Sequence, residues 1–110
     1  MFNNSDLSKT LDLYSKLMDM FGENSFKVKN YQFNAGIIKK IPEPLNSIEA
    51  IDNNLQIGAA VKNTLKELIT SGVIQQLEHY KANIPEGLID LLKAKGFGAK
   101  KVATLWKENN

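Results

Sequence analysis

Apolar residues recur at helical spacing along nearly the whole chain. Leu7, Leu11, Tyr14, Leu17, Met18 and Phe21 fall on one stripe and predict an amphipathic helix from about Ser5 to Phe21. Asn4, Ser5 and Asp6 offer oxygens to cap its start, and Gly22 stops it. A second helix is expected from Glu23-Asn24-Ser25 to about Ile41, where Pro42 and Pro44 end it. Phe26, Tyr31, Ala35, Ile37 and Ile38, with Phe33 beside them, supply its broad apolar face, and Lys27, Lys29, Lys39 and Lys40 lie largely off it. Leu45 to Ile51 reads as a short third helix, followed by the turn cluster Asp52-Asn53-Asn54.

The fourth helix, Ala59 to about Thr70, turns Val61, Leu65, Leu68 and Ile69 inward before Ser71-Gly72. Val73 to Ala82 repeats the pattern with Val73, Ile74, Leu77 and Tyr80. Pro85 suits the first turn of a sixth helix, whose Leu88, Ile89, Leu91 and Leu92 face the core. The last run, Ala99 to Lys107, has Val102, Leu105 and Trp106 as its stripe. No convincing alternation of period two appears, so the expected fold is all-α, a compact bundle of six to seven short helices. Leu11, Tyr14, Phe26, Tyr31, Leu65, Leu68, Leu77, Leu91, Phe97 and Leu105 are its expected core.

At 110 residues the length suits one domain. There is no cysteine, which removes disulfides and thiolate metal sites. No apolar run approaches a membrane span and the first residues do not read as a signal peptide, so no membrane partner and a cytoplasmic, monomeric protein are the expectation. Net charge is only +2, but all 14 basic residues are lysine. Lysine is a point charge without the planar fork that reads guanine edges, so a nucleic-acid partner would be held by its backbone. His79 is the lone histidine and lacks a second ligand in the sequence for a metal site.

The stretch with most chemistry is Lys93 to Lys101. Gly96 and Gly98 flank Phe97, which would turn inward and pin a tight hairpin to the core. The helix that follows begins with unpaired N–H groups and the positive end of its dipole, suited to a phosphate oxygen, with Lys95, Lys100 and Lys101 around it. A Gly-x-Gly between two short helices describes a helix-hairpin-helix; a helix end with solvated lysines is the plainer alternative. Ile57-Gly58 through Val61 repeats Phe97-Gly98 through Val102 about 40 residues earlier, with Gln56 in place of the leading glycine. Lys27 and Tyr31, four apart on one helix surface, could hold a phosphate between ammonium and phenol, or be a snorkelling lysine beside a half-buried tyrosine.

Taken in order, Gly22-Glu23-Asn24-Ser25-Phe26-Lys27 through Tyr31, Ile57-Gly58 through Leu68, Thr70-Ser71-Gly72, Ile84-Pro85 through Leu92 and Gly96-Phe97-Gly98 through Val102 resemble the N-terminal region of family X DNA polymerases, the bacterial branch in particular. The resemblance covers nearly the whole chain. It implies a single domain over 1–110, with 1–72 similar to the N-terminal domain of DNA polymerase beta and 73–110 carrying a second helix-hairpin-helix. It further implies non-sequence-specific binding to the backbone of gapped, nicked or end-containing DNA in repair. On this sequence the implied contacts are Gly96, Gly98, Lys95, Lys100 and Lys101, and Gly58 at a degenerate first hairpin, where carbonyls near Asp52, Asn54 and Ile57 are also implicated. A 5′-phosphate falls to Lys27 and Tyr31, and a K+ or Na+ ion to the carbonyls of Leu92, Ala94 and Phe97.

The same resemblance brings a deoxyribose-phosphate lyase into view. Its Schiff-base lysine falls on Thr64, and a further phosphate-binding lysine on Ala60, so the enzymatic reading is disfavoured. A protein-interaction module is the remaining alternative.

Overall fold

A computed structural model of the chain describes residues 2–93 together with Val102, Thr104 and Trp106. The expected all-α class is what it shows: six helices and, among the described residues, no strand. They are α1 (Asn4–Met20), α2 (Ser25–Lys40), α3 (Ile48–Asn53), α4 (Ala59–Ser71), α5 (Gln75–Ala82) and α6 (Glu86–Lys93). Val102, Thr104 and Trp106 are helical as well. The hairpin at 95–98 and the lysines at 95, 100 and 101 lie outside the described residues, as do Phe97 and Leu105 of the expected core. No helix among the described residues is long and apolar enough to cross a membrane.

Local chemistry explains where each helix starts and stops. Asn3 and Asp6 form a reciprocal capping box at α1: the Asp6 N–H donates to Asn3 Oδ1 at 2.7 Å and the Asn3 N–H to Asp6 Oδ2 at 3.2 Å. At the other end Gly22 takes a φ of +80°, with the Glu23 N–H on the Met18 carbonyl and the Gly22 N–H on that of Asp19. That pairing is the Schellman pattern, and it reverses the chain into α2 within three residues. Asn24 caps α2 by accepting from the Phe26 N–H at 2.8 Å.

α1 and α2 lie antiparallel and make the main helix pair. The register is set by polar contacts inside an apolar seam: Ser8 Oγ donates to the Ala35 carbonyl at 2.8 Å, and Tyr14 meets Tyr31 edge-on at 5.3 Å. At the open end Asn4 clamps the proline loop. Its Nδ2 donates to the Ile41 and Glu43 carbonyls at 3.0 and 2.8 Å, and its Oδ1 accepts the Leu45 N–H at 2.9 Å. Leu45 is buried inside this loop, so α3 begins only at Ile48, three residues later than the periodicity suggests, with Ser47 as its cap.

Leu7, Leu11, Leu17, Met18, Ile38, Ile51, Val61, Leu65, Leu92 and Val102 are fully enclosed at the centre. A chain of rings, Tyr31–Tyr14–Tyr80–Phe21–Trp106, runs along one side, with Phe21 stacked on Tyr80 at 4.7 Å and 5.3 Å from Trp106. Trp106 thereby ties residues near the C-terminus to the end of α1. Three expectations need correction. Phe26 is 82% exposed instead of core, Leu91 is only partly buried, and α5 starts at Gln75, leaving Val73 outside it. Phe26 loses its place because Val28, Tyr31, Ala35 and Ile38 form the seam against α1, and Phe26 falls on the opposite side of α2.

Burial in the ring chain holds the phenol of Tyr14 well above its ordinary ionisation range, with neighbouring Tyr31, Tyr80, Glu67 and Glu23 adding to the effect. Tyr80 is raised too, by burial and then by Glu23, whose carboxylate accepts its hydroxyl at 3.4 Å. Both folded values lie above the unfolded one, so this contribution is fully present below a pH of about 10 and is lost as the pH rises from there through the folded values. Urea midpoints should therefore hold level from neutral pH to about 9 and fall above 10. Tyr14→Phe should make that fall shallower; an unchanged fall would show that Tyr14 does not carry it.

Candidate nucleic-acid interface

The chain between α3 and α4 makes a tight turn without any positive φ, since among the described residues only Gly22 and Gly72 adopt one. Asn54 does the work that a glycine at position 56 would otherwise do. Its Oδ1 accepts the N–H groups of Gln56 at 2.8 Å and Ile57 at 3.2 Å, an Asx turn that satisfies the backbone with a side chain. Ile57 is buried and pins the turn to the core, while Leu55 stands outside.

Gly58 is the N-cap of α4, at φ −70° and ψ 157°, and supplies no side-chain cap. Its N–H donates to Asn34 Oδ1 at 3.2 Å, and Asn34 Nδ2 donates to the Asn30 carbonyl at 2.8 Å. Asn34 is buried on the inner face of α2 and fixes how that helix meets the turn. The Gly58 amide named from the sequence is thus engaged inside the protein. The next three N–H groups, on Ala59, Ala60 and Val61, precede the first intrahelical bond, Lys62 N–H to the Gly58 carbonyl at 2.9 Å. Ala59 and Ala60 are exposed, and the first turn of α4 carries no acid. The first turn of α4 therefore carries no acid of its own against the positive end of the dipole, and its first two residues face solvent.

Two lysines of α4 reach back to Asp52. Lys62 Nζ donates to its carbonyl at 2.8 Å, and Lys66 Nζ pairs with its carboxylate at 2.8 Å. A similar contact occurs at α6, where Lys16 Nζ donates to the Leu92 carbonyl at 3.0 Å and pairs with Asp12 at 3.1 Å. The Leu92 oxygen, one of three that the resemblance offers to K+ or Na+, thus already faces an ammonium; Ala94 and Phe97 lie outside the described residues. No group of three or more metal-ligating side chains gathers among the described residues, and His79 is exposed.

Lys27 and Tyr31 fare differently from one another. Tyr31 is buried, its hydroxyl 2.6 Å from Thr64 Oγ1 and 3.4 Å from the Ala60 carbonyl, to which Thr64 also donates at 3.2 Å. Lys27 is exposed and pairs loosely with Glu23 at 3.8 Å. The position where the resemblance puts a Schiff-base lysine therefore holds a hydroxyl hydrogen-bonded to Tyr31. Asn34 is not named from the sequence, and Asn54 is named there only for its place in a turn and its carbonyl, not for its side chain. The signal for Asn34 was a polar residue inside the stripe Val28, Tyr31, Ala35, Ile38; for Asn54, its place two residues before Gln56 in a turn cluster.

No protein-family model matches the chain. Among curated proteins, the DNA polymerase/3′-5′ exonuclease PolX of Bacillus subtilis is 32% identical over 103 residues, which is 94% of this chain and 18% of that protein. The chain spans under a fifth of that relative's length and is similar to that part of it.

Proposed function

We propose that the chain is a DNA-binding module that grips the sugar-phosphate backbone of gapped, nicked or end-containing duplex without reading sequence, as part of a PolX-like polymerase. The observation that carries this is the open start of α4. Three N–H groups, a dipole that meets no acid in that turn and two small exposed alanines make room for a phosphate oxygen there. The homology to a polymerase supplies the class of partner. In this reading α3, the 54–58 turn and α4 form a first helix-hairpin-helix, its missing glycine compensated by Asn54. The second, with Gly96, Gly98, Lys95, Lys100 and Lys101, grips the backbone on the other side of the gap.

Lys27 offers an exposed ammonium to a 5′-phosphate. Tyr31, bonded to Thr64 and Ala60, shapes the floor beneath it. No lyase step enters this reading, because Thr64 has no amine and Lys62 and Lys66 are drawn to Asp52.

Binding of labelled gapped duplexes tests it. Several unrelated sequences should bind alike, with affinity falling linearly in log–log terms as salt rises, because each lysine that neutralises a phosphate releases condensed counterions. Sequence-dependent affinity, or none at low salt, would overturn it.

A further inference from the structure

A cleft of about 740 Å³ lies where α1 meets α5 and α6, and among the described residues nothing from α2, α3 or α4 lines it. Four lysines do: Lys9 and Lys16 from α1, Lys81 from α5 and Lys93 from α6. Ammonium groups from three helices thus converge on one cavity. Asp6 and Asp12 also line it, which leaves a surplus of two positive charges.

Both carboxylates are already engaged. Asp6 Oδ2 accepts the Asn3 N–H at 3.2 Å in the capping box, and Asp12 pairs with Lys16 at 3.1 Å. Lys16 also donates to the Leu92 carbonyl at 3.0 Å, so that ammonium is set in place before any ligand arrives. Lys81 pairs with Glu78 at 3.2 Å. Lys9 and Lys93 are exposed, and among the described residues neither has an ion-pair partner. Leu13, Leu77 and Leu92 supply the apolar part of the lining, and all three are buried. So little exposed apolar surface does not offer the row of anchors that a docked helix needs, but it suits one flat ring.

We propose that this cleft binds a nucleoside triphosphate, with its phosphates among the lysines and its base against the leucine side chains. The volume falls within the range of about 300–1,000 Å³ typical of small-molecule sites, where an apolar lining carries a few placed charges. The type of cation selects the anion. Lysine meets phosphate as a point charge, whereas paired recognition of a carboxylate favours the planar fork of arginine, which this chain lacks. A bare polyphosphate would leave the apolar side of the cleft unused. The inference goes beyond the DNA-binding reading, because the cleft takes nothing from α4, whose start carries that reading.

Calorimetric titration of the chain with ATP, tripolyphosphate and adenosine, without added metal, tests this. ATP should bind, and tripolyphosphate and adenosine should each bind at least about tenfold more weakly. ATP should also shift the methyl resonances of Leu13 and Leu77 through the ring current of its base, and tripolyphosphate should not. Lys9→Gln with Lys93→Gln should weaken ATP binding about tenfold or more. Lys29→Gln with Lys40→Gln removes the same charge from α2, outside the cleft, and should leave ATP binding unchanged. All four side chains are exposed, so both variants should fold, as circular dichroism would verify.

No ATP binding at millimolar concentration overturns the inference. Equal losses in the two lysine variants overturn it as well, since ATP would then be responding to net charge. Equal affinities for ATP and tripolyphosphate, or leucine methyls that stay in place, rule out a seat for the base and overturn it too. Displacement of ATP by saturating gapped DNA would make the cleft part of the DNA surface and overturn it likewise. ATP binding by a chain that binds no DNA would support it while removing the reading under Proposed function.

Discussion

Gly58→Asp is expected to bind gapped DNA at least about tenfold more weakly than the parent while unfolding no earlier, and by a few tenths of a kcal/mol later. The two effects have opposite signs for one physical reason. Gly58 sits at the N-cap of α4 in extended backbone, and a Cβ there meets nothing within 4 Å, so aspartate enters without strain. Its carboxylate would accept from the N–H groups of the first turn and sit against the dipole, which are the interactions that stabilise a helix start. The same carboxylate would occupy the place proposed for a phosphate oxygen and repel the backbone beyond it. Gly58→Ala separates the components, since it adds bulk without charge. Anisotropy titration and thermal melts on the same preparations measure both. A better-folded Gly58→Asp that binds gapped DNA normally would show that the α4 start does not touch DNA.

Leu65→Ala should cost about 2–5 kcal/mol, enough to lower the melting temperature by more than about 10 °C in a chain of this size. Leu65 is fully buried in α4, and its loss leaves a cavity in the core. Leu91→Ala should cost less than half as much, because that side chain is only partly buried. Denaturant unfolding compares the two. Similar costs at both positions would mean that burial at α4 and α6 has been misassigned.

The helices themselves were legible because their signals are local. Asn24 caps, Gly22 and Gly72 terminate, and Pro42 ends the second helix wherever the rest of the chain goes, whereas the cap of α1 is Asn3 and not Asn4, whose side chain the 41–45 loop takes. The stripes of α1 and α4 were legible for the same reason: each has one apolar face, so only one side can turn inward. The third and fifth helices were placed early in the chain because Leu45 and Val73 continue an apolar period, and periodicity does not register a buried loop residue or an exposed valine.

α2 marks where local information stopped. It carries two apolar stripes, Val28-Tyr31-Ala35-Ile38 and Phe26-Phe33-Ile37, on opposite sides, and the larger side chains belong to the second. Hydrophobicity alone favours burying the phenylalanines. The contacts with α1 decide otherwise, through the Tyr14 ring against Tyr31 and the Ser8 hydroxyl on the Ala35 carbonyl, and so leave two rings in solvent. The candidate site divides the same way. Gly58 could be named from its spacing, because a small residue before a helix start is a sequence signal. That its own N–H goes to Asn34, that Asn54 replaces a glycine, and that Lys62 and Lys66 converge on Asp52 depend on which helices become neighbours. The amino-acid sequence by itself determined an all-helical chain with its breaks and caps, since those follow from residues within a turn of one another. Only the tertiary structure decided which face of α2 is open and which amides of the turn remain available, since the Gly58 N–H goes to a side chain 24 residues away.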